Sequence, residues 1–172
     1  MIDLVPLFGL IFLLAFFYFF VAGFFRSPFV PANRKTVEKM LAAAKLRKGE
    51  RVIDLGCGDG RIIFLAEQRY GVTAEGYEVS TFVWLLAQLN RLLKHSQAKI
   101  YRKNFFKADL AQADIVFCYL LPEVMRKLAP KLKQELKQGA RIVSASFSLP
   151  DWEAVQVYEK EGGSEKVFVY RR

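Results

Sequence analysis

The hydrophobic pattern begins with one long uncharged run. Leu4–Phe25 holds 22 residues without a charged side chain, and no polar positions recur in it at the 3.6-residue period of a half-buried helix. A helix of this length, rising about 1.5 Å per residue, crosses a bilayer core of about 30 Å. The pattern predicts a transmembrane helix within residues 1–26, followed by a linker over residues 27–36 that contains two prolines.

After the linker, short apolar strands alternate with amphipathic helices over residues 37–172. Strands are predicted over Val52–Leu55, Thr73–Tyr77, Lys99–Arg102, Asp114–Leu120 and Ala140–Phe147. Helices are predicted over Thr36–Leu46, which Gly49 should end, and over Ile62–Tyr70, Thr81–Leu93 and Pro122–Leu136. This alternation indicates an α/β domain with a parallel sheet and helices on both faces. Two further strands, Ala154–Glu159 and Lys166–Tyr170, flank two glycines and predict a closing antiparallel hairpin.

The charges around the apolar run predict its orientation. One acid, Asp3, precedes the run, and the basic residues that follow it include Arg26, Arg34, Lys35 and Lys39. By the positive-inside rule this asymmetry places the following domain in the cytoplasm. The alternative is a cleaved signal peptide, because Val21–Gly23 has the small residues of a cleavage site. The missing basic n-region and the length of the run argue against cleavage.

The rest of the chain is basic. All 26 Lys and Arg residues follow position 25, and the formal net charge is +9. This balance favours an anionic partner, either a lipid surface or a nucleic acid. Because the sequence holds no nucleic-acid-binding motif, we expect membrane contact and no nucleic acid. Solubility alone is the plain alternative explanation of the charge.

Cysteine and histidine are too few for a typical metal centre. Cys57 and Cys118 show no CxxC spacing, and His95 is the only histidine. A cytoplasmic domain keeps its thiols reduced. The sequence therefore predicts neither a metal site nor a disulfide.

The stretch RVIDLGCGDGR, residues 51–61, places three glycines directly after the first predicted strand. Glycine is required where φ is positive or where a ligand lies against the main chain. In an open parallel sheet, ligands bind where the order of the strands reverses, and the first strand-to-helix turn is a usual place. We therefore predict a ligand against Gly56, Gly58 and Gly60.

Acids beside the loop narrow the choice of ligand. A dinucleotide-binding loop needs a third glycine where Arg61 stands, and a P-loop needs a Gly-Lys-Ser/Thr ending that is absent. Asp54 and Asp59 would also repel a diphosphate. A cationic nucleoside such as S-adenosylmethionine, with its sulfonium and ammonium groups, fits these charges instead.

Residues after the next two strands complete the predicted site. Glu78 ends the second strand, where a carboxylate accepts hydrogen bonds from both ribose hydroxyls. Asn104 and Phe105 follow the third strand and offer one polar contact and one apolar surface to an adenine ring. The plain alternatives are a solvated loop acid for Glu78 and a core aromatic for Phe105.

These motifs resemble a known family. VIDLGCGDGR, GYEVS, NFF and YLLPEVMRKLAPKL resemble the class I, seven-stranded, S-adenosylmethionine-dependent methyltransferases, which have a Rossmann-like fold. SPFVPANRKTVEKML and GARIVSASFSLPDW resemble, more narrowly, the lysine methyltransferases of the mitochondrial adenine nucleotide translocase and the ATP synthase c-subunit, with their prokaryotic relatives. The resemblance covers Pro28 to about Trp152 and implies methylation of a protein lysine.

The resemblance also implies a role for each matching residue. Asp54, Gly56, Gly58 and Gly60 should hold the methionine half of the cofactor, Glu78 the ribose, and Asn104 and Phe105 the adenine. The expected cofactor site further contains Cys57, Asp59 and Val79. Two departures from the family are Cys57, where a serine often stands, and Asn104, where many methyltransferases have an acid.

The acceptor pocket is expected at the end of the fourth strand. Here Tyr119 would orient the amine or offer its ring face, and Glu123 would attract a cationic side chain. The plain alternatives are a core aromatic for Tyr119 and a helix-dipole acid for Glu123. His95, at a predicted helix end, receives no role.

Three functions stay open on the sequence. The first is a membrane-tethered protein-lysine methyltransferase, and the second is a methyltransferase for a small amine, a lipid or a quinone-like acceptor. The third is a non-catalytic cofactor-binding adaptor. Substitutions in the glycine loop or at Glu78 would indicate this function. Both features are intact in this sequence.

Overall fold

The computed structural model describes residues 5–24 and 29–172, and the chain forms two compact units, Met1–Val30 and Pro31–Arg172. In the first unit, helix α1 spans Val5–Phe24. Among the described residues, no helix has both the length and the apolar character needed to cross a membrane. The transmembrane helix predicted over Leu4–Phe25, whose two end residues lie outside the described ranges, is therefore not confirmed.

The second unit contains the α/β domain. Its helices are α2 (Arg34–Ala44), α3 (Arg61–Tyr70), α4 (Thr81–Leu93) and α5 (Pro122–Glu135). Its strands are β1 (Arg51–Leu55), β2 (Thr73–Glu78), β3 (Lys99–Arg102), β4 (Ile115–Cys118), β5 (Arg141–Ala145), β6 (Gln156–Tyr158) and β7 (Val167–Arg171). A short 3-10 helix, Phe105–Lys107, follows β3.

The seven strands form one sheet in the order β3-β2-β1-β4-β5-β7-β6. Strands β1 to β5 pair in parallel, and β7 runs antiparallel to both β5 and β6. The predicted Rossmann-like, mostly parallel sheet with a C-terminal antiparallel hairpin is confirmed. The order of the strands reverses between β1 and β4, which is the position where such sheets bind ligands.

Alternating side chains of the strands fill two apolar layers. One layer joins Val52 and Phe117 to helices α2, α3 and α4. The opposite layer joins Ile53 and Val116 to helix α5. Because successive residues of a strand point to opposite faces, β1 and β4 are buried on both sides. Their carboxyl ends are thereby held in a rigid frame at the switch point.

Helix α2 begins and ends earlier than predicted. The Asn33 side chain accepts a hydrogen bond from the Thr36 amide at 2.8 Å and caps the helix, so α2 starts inside the predicted linker. Lys45, with φ 49°, ends it through a bond from its amide to the Ala42 carbonyl. The prediction that Gly49 ends this helix is wrong, because Gly49 lies in the following turn. The division into residues 1–26, 27–36 and 37–172 stays a prediction.

Candidate active site

The glycine loop follows β1 and is held against the end of β2. The amides of Gly56 and Cys57 donate to the Tyr77 carbonyl at 2.9 and 3.0 Å. All three glycines of the loop have positive φ, 79° at Gly56, 57° at Gly58 and 82° at Gly60. The main chain of the loop is therefore in the left-handed region that glycine adopts without strain.

At Gly60, space as well as conformation demands glycine, whereas at Gly56 a side chain would only be tightly placed. Gly60 caps helix α3, and its carbonyl accepts from the Phe64 amide at 3.0 Å. A β-carbon on Gly60 would collide with the Phe64 ring. A β-carbon on Gly56 would lie 3.0 Å from Cδ2 of Leu120, which follows β4. The loop thus presents bare main chain between β1 and β4.

Asp59 is paired with Arg61. Its carboxylate accepts from Nε at 2.8 Å and from Nη2 at 2.6 Å of the guanidinium. Nη1 of the same guanidinium donates to the Ala32 carbonyl at 2.6 Å. Arg61 partly offsets the charge of Asp59, so the repulsion of a diphosphate by this carboxylate is weaker than the sequence alone indicates. The pair also ties the loop to the segment before α2.

Glu78 is half-buried at the end of β2, and both of its oxygens are engaged. Oε2 accepts from the Gly58 amide at 3.2 Å, and Oε1 accepts from the Ser80 amide at 2.8 Å. The Ser80 hydroxyl in turn caps helix α4 by accepting from the Val83 amide. Glu78 is therefore fixed beside the loop, which excludes the alternative of a mobile, fully solvated acid. Its neighbour Val79 is 69% exposed.

Asp54, near the carboxyl end of β1, is only 2% exposed. Burial, together with the negative charges of Glu78 and Asp59, raises the pKa of its carboxyl to about 8. A cation bound nearby would favour the ionised form and lower this pKa. The position is thus suited to a ligand that carries positive charge.

Asn104 and Phe105 lie beside Glu78. The Lys103 amide donates to the Glu78 carbonyl at 3.1 Å, which joins the end of β3 to the end of β2. Oδ1 of Asn104 accepts from the Phe106 amide at 3.0 Å. Phe105 is half-buried and packs against the apolar layer under α5. The structure therefore brings both residues to the predicted edge, although Phe105 also contributes to the core.

The end of β4 lies directly beside the loop. Leu55 of β1 is level with Cys118 of β4 in the sheet, so that Tyr119 follows at the height of Gly56. Tyr119 is half-buried and packs against the layer under α2, α3 and α4. Glu123 is exposed in the first turn of α5. Of the two predicted acceptor-side residues, Tyr119 is the one beside the loop.

The end of β5 also lies at this edge, although no site motif in the sequence marks it. Cys118 is level with Ser144, and Ser146 follows with φ 65°, an unusual value for a residue other than glycine. The Ser144 hydroxyl donates to the Phe147 carbonyl, and the Phe147 side chain is 38% exposed. The available signal was topological, because all parallel strands end at the same edge of the sheet.

The structure also shows the surroundings of the two cysteines and of His95. Cys57 and Cys118 are buried free thiols, and burial raises the pKa of both. His95 is exposed after helix α4, with φ 50°. Within residues 5–24 and 29–172, no group of three or more His, Cys, Asp or Glu is arranged to hold a metal ion.

A glycine loop beside one buried and one half-buried carboxylate, at the switch point of a seven-stranded sheet whose β7 is antiparallel, is typical of the Rossmann-like, S-adenosylmethionine-dependent methyltransferases. Within that class, residues 54–156 match the family model of the ANTKMT methyltransferase domain. The chain belongs to this family and is a methyltransferase.

Similar proteins of known activity support the assignment. A protein-lysine N-methyltransferase of Saccharolobus islandicus is 38% identical over 146 residues, which cover 83% of this chain and 91% of that protein. The adenine nucleotide translocase lysine N-methyltransferase of Mus musculus is 37% identical over 83% of this chain and 62% of its own length. The human lysine N-methyltransferase of the ATP synthase c-subunit is 33% identical over 73% and 54%. The chain thus spans little more than half the length of the two mammalian relatives.

Solved structures share the fold. An RNA methyltransferase of Salinibacter ruber, crystallised with S-adenosyl-L-homocysteine, superposes with a TM-score of 0.79 at 30% identity. The superposition covers 83% of this chain and 93% of that one. A methyltransferase of Pyrococcus furiosus superposes with a TM-score of 0.63 over 78% and 80% of the two chains, at 16% identity. The second likeness concerns the fold alone.

Proposed function

We propose that this enzyme transfers the methyl group of S-adenosylmethionine to the ε-amino group of a lysine in a protein. The main support for the proposal is that candidate cofactor-binding residues and candidate acceptor-binding residues lie side by side at one edge of the sheet. The glycine loop with Asp54 and Glu78 lies on one side, and the aromatic residues at the ends of β4 and β5 lie on the other. The relatives named above as lysine N-methyltransferases give the same acceptor class.

The residues of the loop fit the cofactor. When bound, S-adenosylmethionine supplies an electrophilic methyl group on a sulfonium, together with a cationic ammonium and a ribose. Asp54 would face the positive charge, Glu78 would accept from the ribose hydroxyls, and the main chain at Gly56 to Gly60 would lie against the methionine half. Asn104 and Phe105 would border the adenine. Cys57 lies within the glycine loop, and Val79 directly follows Glu78. Asp59 acts through its pair with Arg61.

The acceptor side has to align a neutral amine with the methyl group. A lysine ammonium has no lone pair, and its reference pKa is about 10.4, so it must lose a proton before it attacks. A half-buried site next to the cofactor's positive charge favours the neutral amine. Tyr119, at the height of Gly56, would orient that amine, and exposed Phe147 at the end of β5 would contact the stem of the lysine side chain. Glu123 would attract the cationic side chain from solvent. Correct alignment of reacting atoms contributes up to about 7–11 kcal/mol of barrier lowering.

A labelling experiment tests the acceptor. The purified full chain is incubated with cofactor carrying a radiolabelled methyl group and with a membrane fraction, with and without protease. We expect label in protein bands that yields methyl-lysine after hydrolysis, and much less label with the Glu78→Gln variant at a cofactor concentration below saturation. Label that extracts into organic solvent would make a lipid the acceptor, and a complete lack of label would favour a non-catalytic adaptor. Either result would overturn the proposal.

We also propose that the apolar N-terminal segment associates with a membrane, with the catalytic domain on the cytoplasmic side. The proposal is supported by the uncharged run Leu4–Phe25, by the basic residues that follow it, and by the exposure of the apolar side chains over residues 8–18. Extraction of expressing cells with alkaline carbonate tests it, because an embedded protein stays in the pellet. Recovery of the full chain in the supernatant would overturn the proposal.

A further inference from the structure

Helix α4 turns an apolar face to solvent. Five large side chains on it are more than half exposed, namely Phe82 at 71%, Leu85 at 53%, Leu89 at 53%, Leu92 at 64% and Leu93 at 69%. They recur every three or four residues and therefore lie next to one another along one side of the helix. We call this surface the α4 face. Soluble proteins rarely expose contiguous apolar patches larger than a few hundred Å² unless they bind something.

Hydrogen bonds prevent α4 from turning this face inward. Trp84 Nε1 and Gln88 Nε2 donate to the Ile100 carbonyl at 3.1 and 3.3 Å. On the next turn, Asn90 Nδ2 donates to the Asp59 carbonyl at 3.1 Å. A rotation of α4 that buried its exposed leucines would break these three hydrogen bonds. The exposure of the α4 face is therefore built into the packing of the helix.

The chain segment that contains the α4 face is basic and holds no acid of its own, although Glu78 bonds to Ser80 before the helix and Glu67 to Ser96 and Gln97 after it. Residues 79–107 contain six Lys and Arg and no Asp or Glu, although the whole chain has 17 acids. Two exposed cations lie at the ends of the helix, Lys94 at its C-cap and Arg102 beside its first residue. Nη1 of Arg102 donates to the Thr81 hydroxyl at 3.1 Å, so one cation lies at the start of α4. An apolar surface with a cation at each end fits an anionic partner.

We propose that the α4 face docks the catalytic domain onto an anionic lipid surface. Phenylalanine and leucine side chains at the boundary of headgroups and acyl chains, with cations at the phosphates, are the arrangement by which amphipathic helices bind membranes. A second copy of the chain is a poorer occupant, because it would bring a second set of cations against the first. The inference stands independently of the methyl acceptor and of helix α1.

Docking would bring the cofactor site close to the lipid. Helix α4 begins at Thr81, and Glu78 is three residues earlier in the chain, bonded to the same turn through Ser80. The edge of the sheet that holds the glycine loop would then open near the headgroups. Such a position suits substrates that are themselves in the membrane.

A spin label at Leu89 tests the proposal in the full chain. Cys57 and Cys118 are 5% and 0% exposed, so a nitroxide reagent reacts selectively with the thiol of a Leu89→Cys variant. The matched control is Gln134→Cys, an exposed position on α5. Both proteins are mixed with phosphatidylcholine vesicles, with and without phosphatidylglycerol. Collision rates with oxygen and with a water-soluble nickel chelate report whether each label lies in lipid or in water, however the rest of the chain is attached.

We expect the label at position 89 to gain oxygen contact and lose nickel contact with anionic vesicles, while the label at 134 stays in water. Adding Lys94→Gln and Arg102→Gln should lower the ratio of shielded to exposed label about fivefold for each cation removed. A label at 89 that stays in water with anionic vesicles would overturn the proposal. Shielding without vesicles that grows with protein concentration, or shielding by nucleic acid or an acidic protein instead of lipid, would also overturn it. Circular dichroism of each variant confirms the fold.

Discussion

Three acids towards the amino-terminal edge of the sheet have ionic partners, which Asp54 and Glu78 at the carboxyl-terminal edge lack among the described residues. The pairs at the amino-terminal edge are Arg51–Glu75 at 2.9 Å, Arg141–Glu50 at 2.5 Å and Lys137–Asp114 at 2.6 Å. At the opposite edge, Asp54 and Glu78 form no ion pair with any residue in the described ranges, and Glu78 accepts from backbone amides. The other acid of the glycine loop, Asp59, pairs with Arg61. Removing one partner of a half-buried ion pair destabilises the folded chain, whereas acids that lack an ionic partner in a partly or fully buried position are typical of binding sites. The comparison predicts that substitutions at the two edges separate ligand affinity from stability.

The largest effect is expected at Gly60. In Gly60→Val, the side chain meets Phe64 and the backbone is strained at φ 82°, so we expect affinity for S-adenosylmethionine to fall by more than about 100-fold. Titration calorimetry measures this loss. Gly139→Val is the matched control, because φ is 83° there and open space surrounds the position, which precedes β5. It should lower the melting temperature without changing affinity. Equal losses of affinity in both variants would contradict the steric role of Gly60.

Two charge-neutralising substitutions compare the edges directly. Glu78→Gln removes a charged acceptor from the site, and we expect cofactor affinity to fall roughly 10- to 100-fold, since hydrogen bonds to charged groups contribute about 1.5–3 kcal/mol. Glu50→Gln leaves the half-buried Arg141 without its ionic partner, so the free energy of unfolding should fall by about 1–3 kcal/mol. Calorimetry and urea denaturation of both variants give the two quantities. If Glu50→Gln weakened the binding of the cofactor, the proposed separation of the edges would be wrong.

Asp54 predicts a pH dependence of cofactor binding. Its carboxyl has a pKa of about 8 in the free protein, so it is largely protonated at pH 6 and ionised above pH 8. Because a cationic ligand prefers the ionised form, binding releases a proton, and affinity should rise up to about tenfold per pH unit until pH 8 and then level off. Asp54→Asn should bind weakly and without this slope. A wild-type affinity that is constant between pH 6 and 8 would contradict the assignment.

The raised pKa of Asp54 also predicts how the stability of the ligand-free protein changes with pH. The pKa of the Asp54 carboxyl is about 8 in the folded chain, against its usual value of 3.8. The contribution of this group to the stability of the folded chain is therefore full below about pH 4 and is lost as the pH rises through 8. Asp54→Asn should flatten this dependence in urea denaturation of the ligand-free protein. An unchanged stability profile in the variant would mean that other groups cause the slope.

The smallest effect is expected at Tyr119. Tyr119→Phe keeps the ring and removes one neutral hydrogen-bonding group, so kcat should fall by about two- to tenfold with unchanged cofactor affinity. Steady-state kinetics with the methyl acceptor and cofactor calorimetry check the two expectations. A loss of kcat above about 100-fold would instead assign proton transfer to the hydroxyl group.

The parts of the site that follow from residue type were predictable from the sequence. Glycine dictates a backbone conformation, and the order of strands and helices dictates which loops share an edge, so the loop and Glu78 were located correctly. The pairing of Asp59 with Arg61 depends on where Ala32 lies in the fold, and no local pattern reports that. The left-handed conformation of Ser146 depends on a bond from its amide to the Lys166 carbonyl, 20 residues later in the chain. Such long-range contacts were beyond sequence reasoning.

The helix boundaries show the same limit on a smaller scale. α4 and β3 were predicted with the bounds that the structure has, because capping and turn residues flank them. α2 ends at Lys45, a residue with no particular preference for positive φ. The end of α2 follows from the packing of this helix against β5 and β7. The glycine at position 49 is a stronger local signal for a helix end, and it was misleading.

The place of β7 in the sheet bears on how the chain folds during synthesis. Residues 156–158 leave the ribosome before residues 167–171, yet β7 lies between β6 and β5. Until β7 arrives, β5 exposes an unpaired edge that can pair with another nascent chain, and β6 has no neighbour to join. Substitutions that detach β7 should therefore favour aggregation, because they uncover the edge of β5.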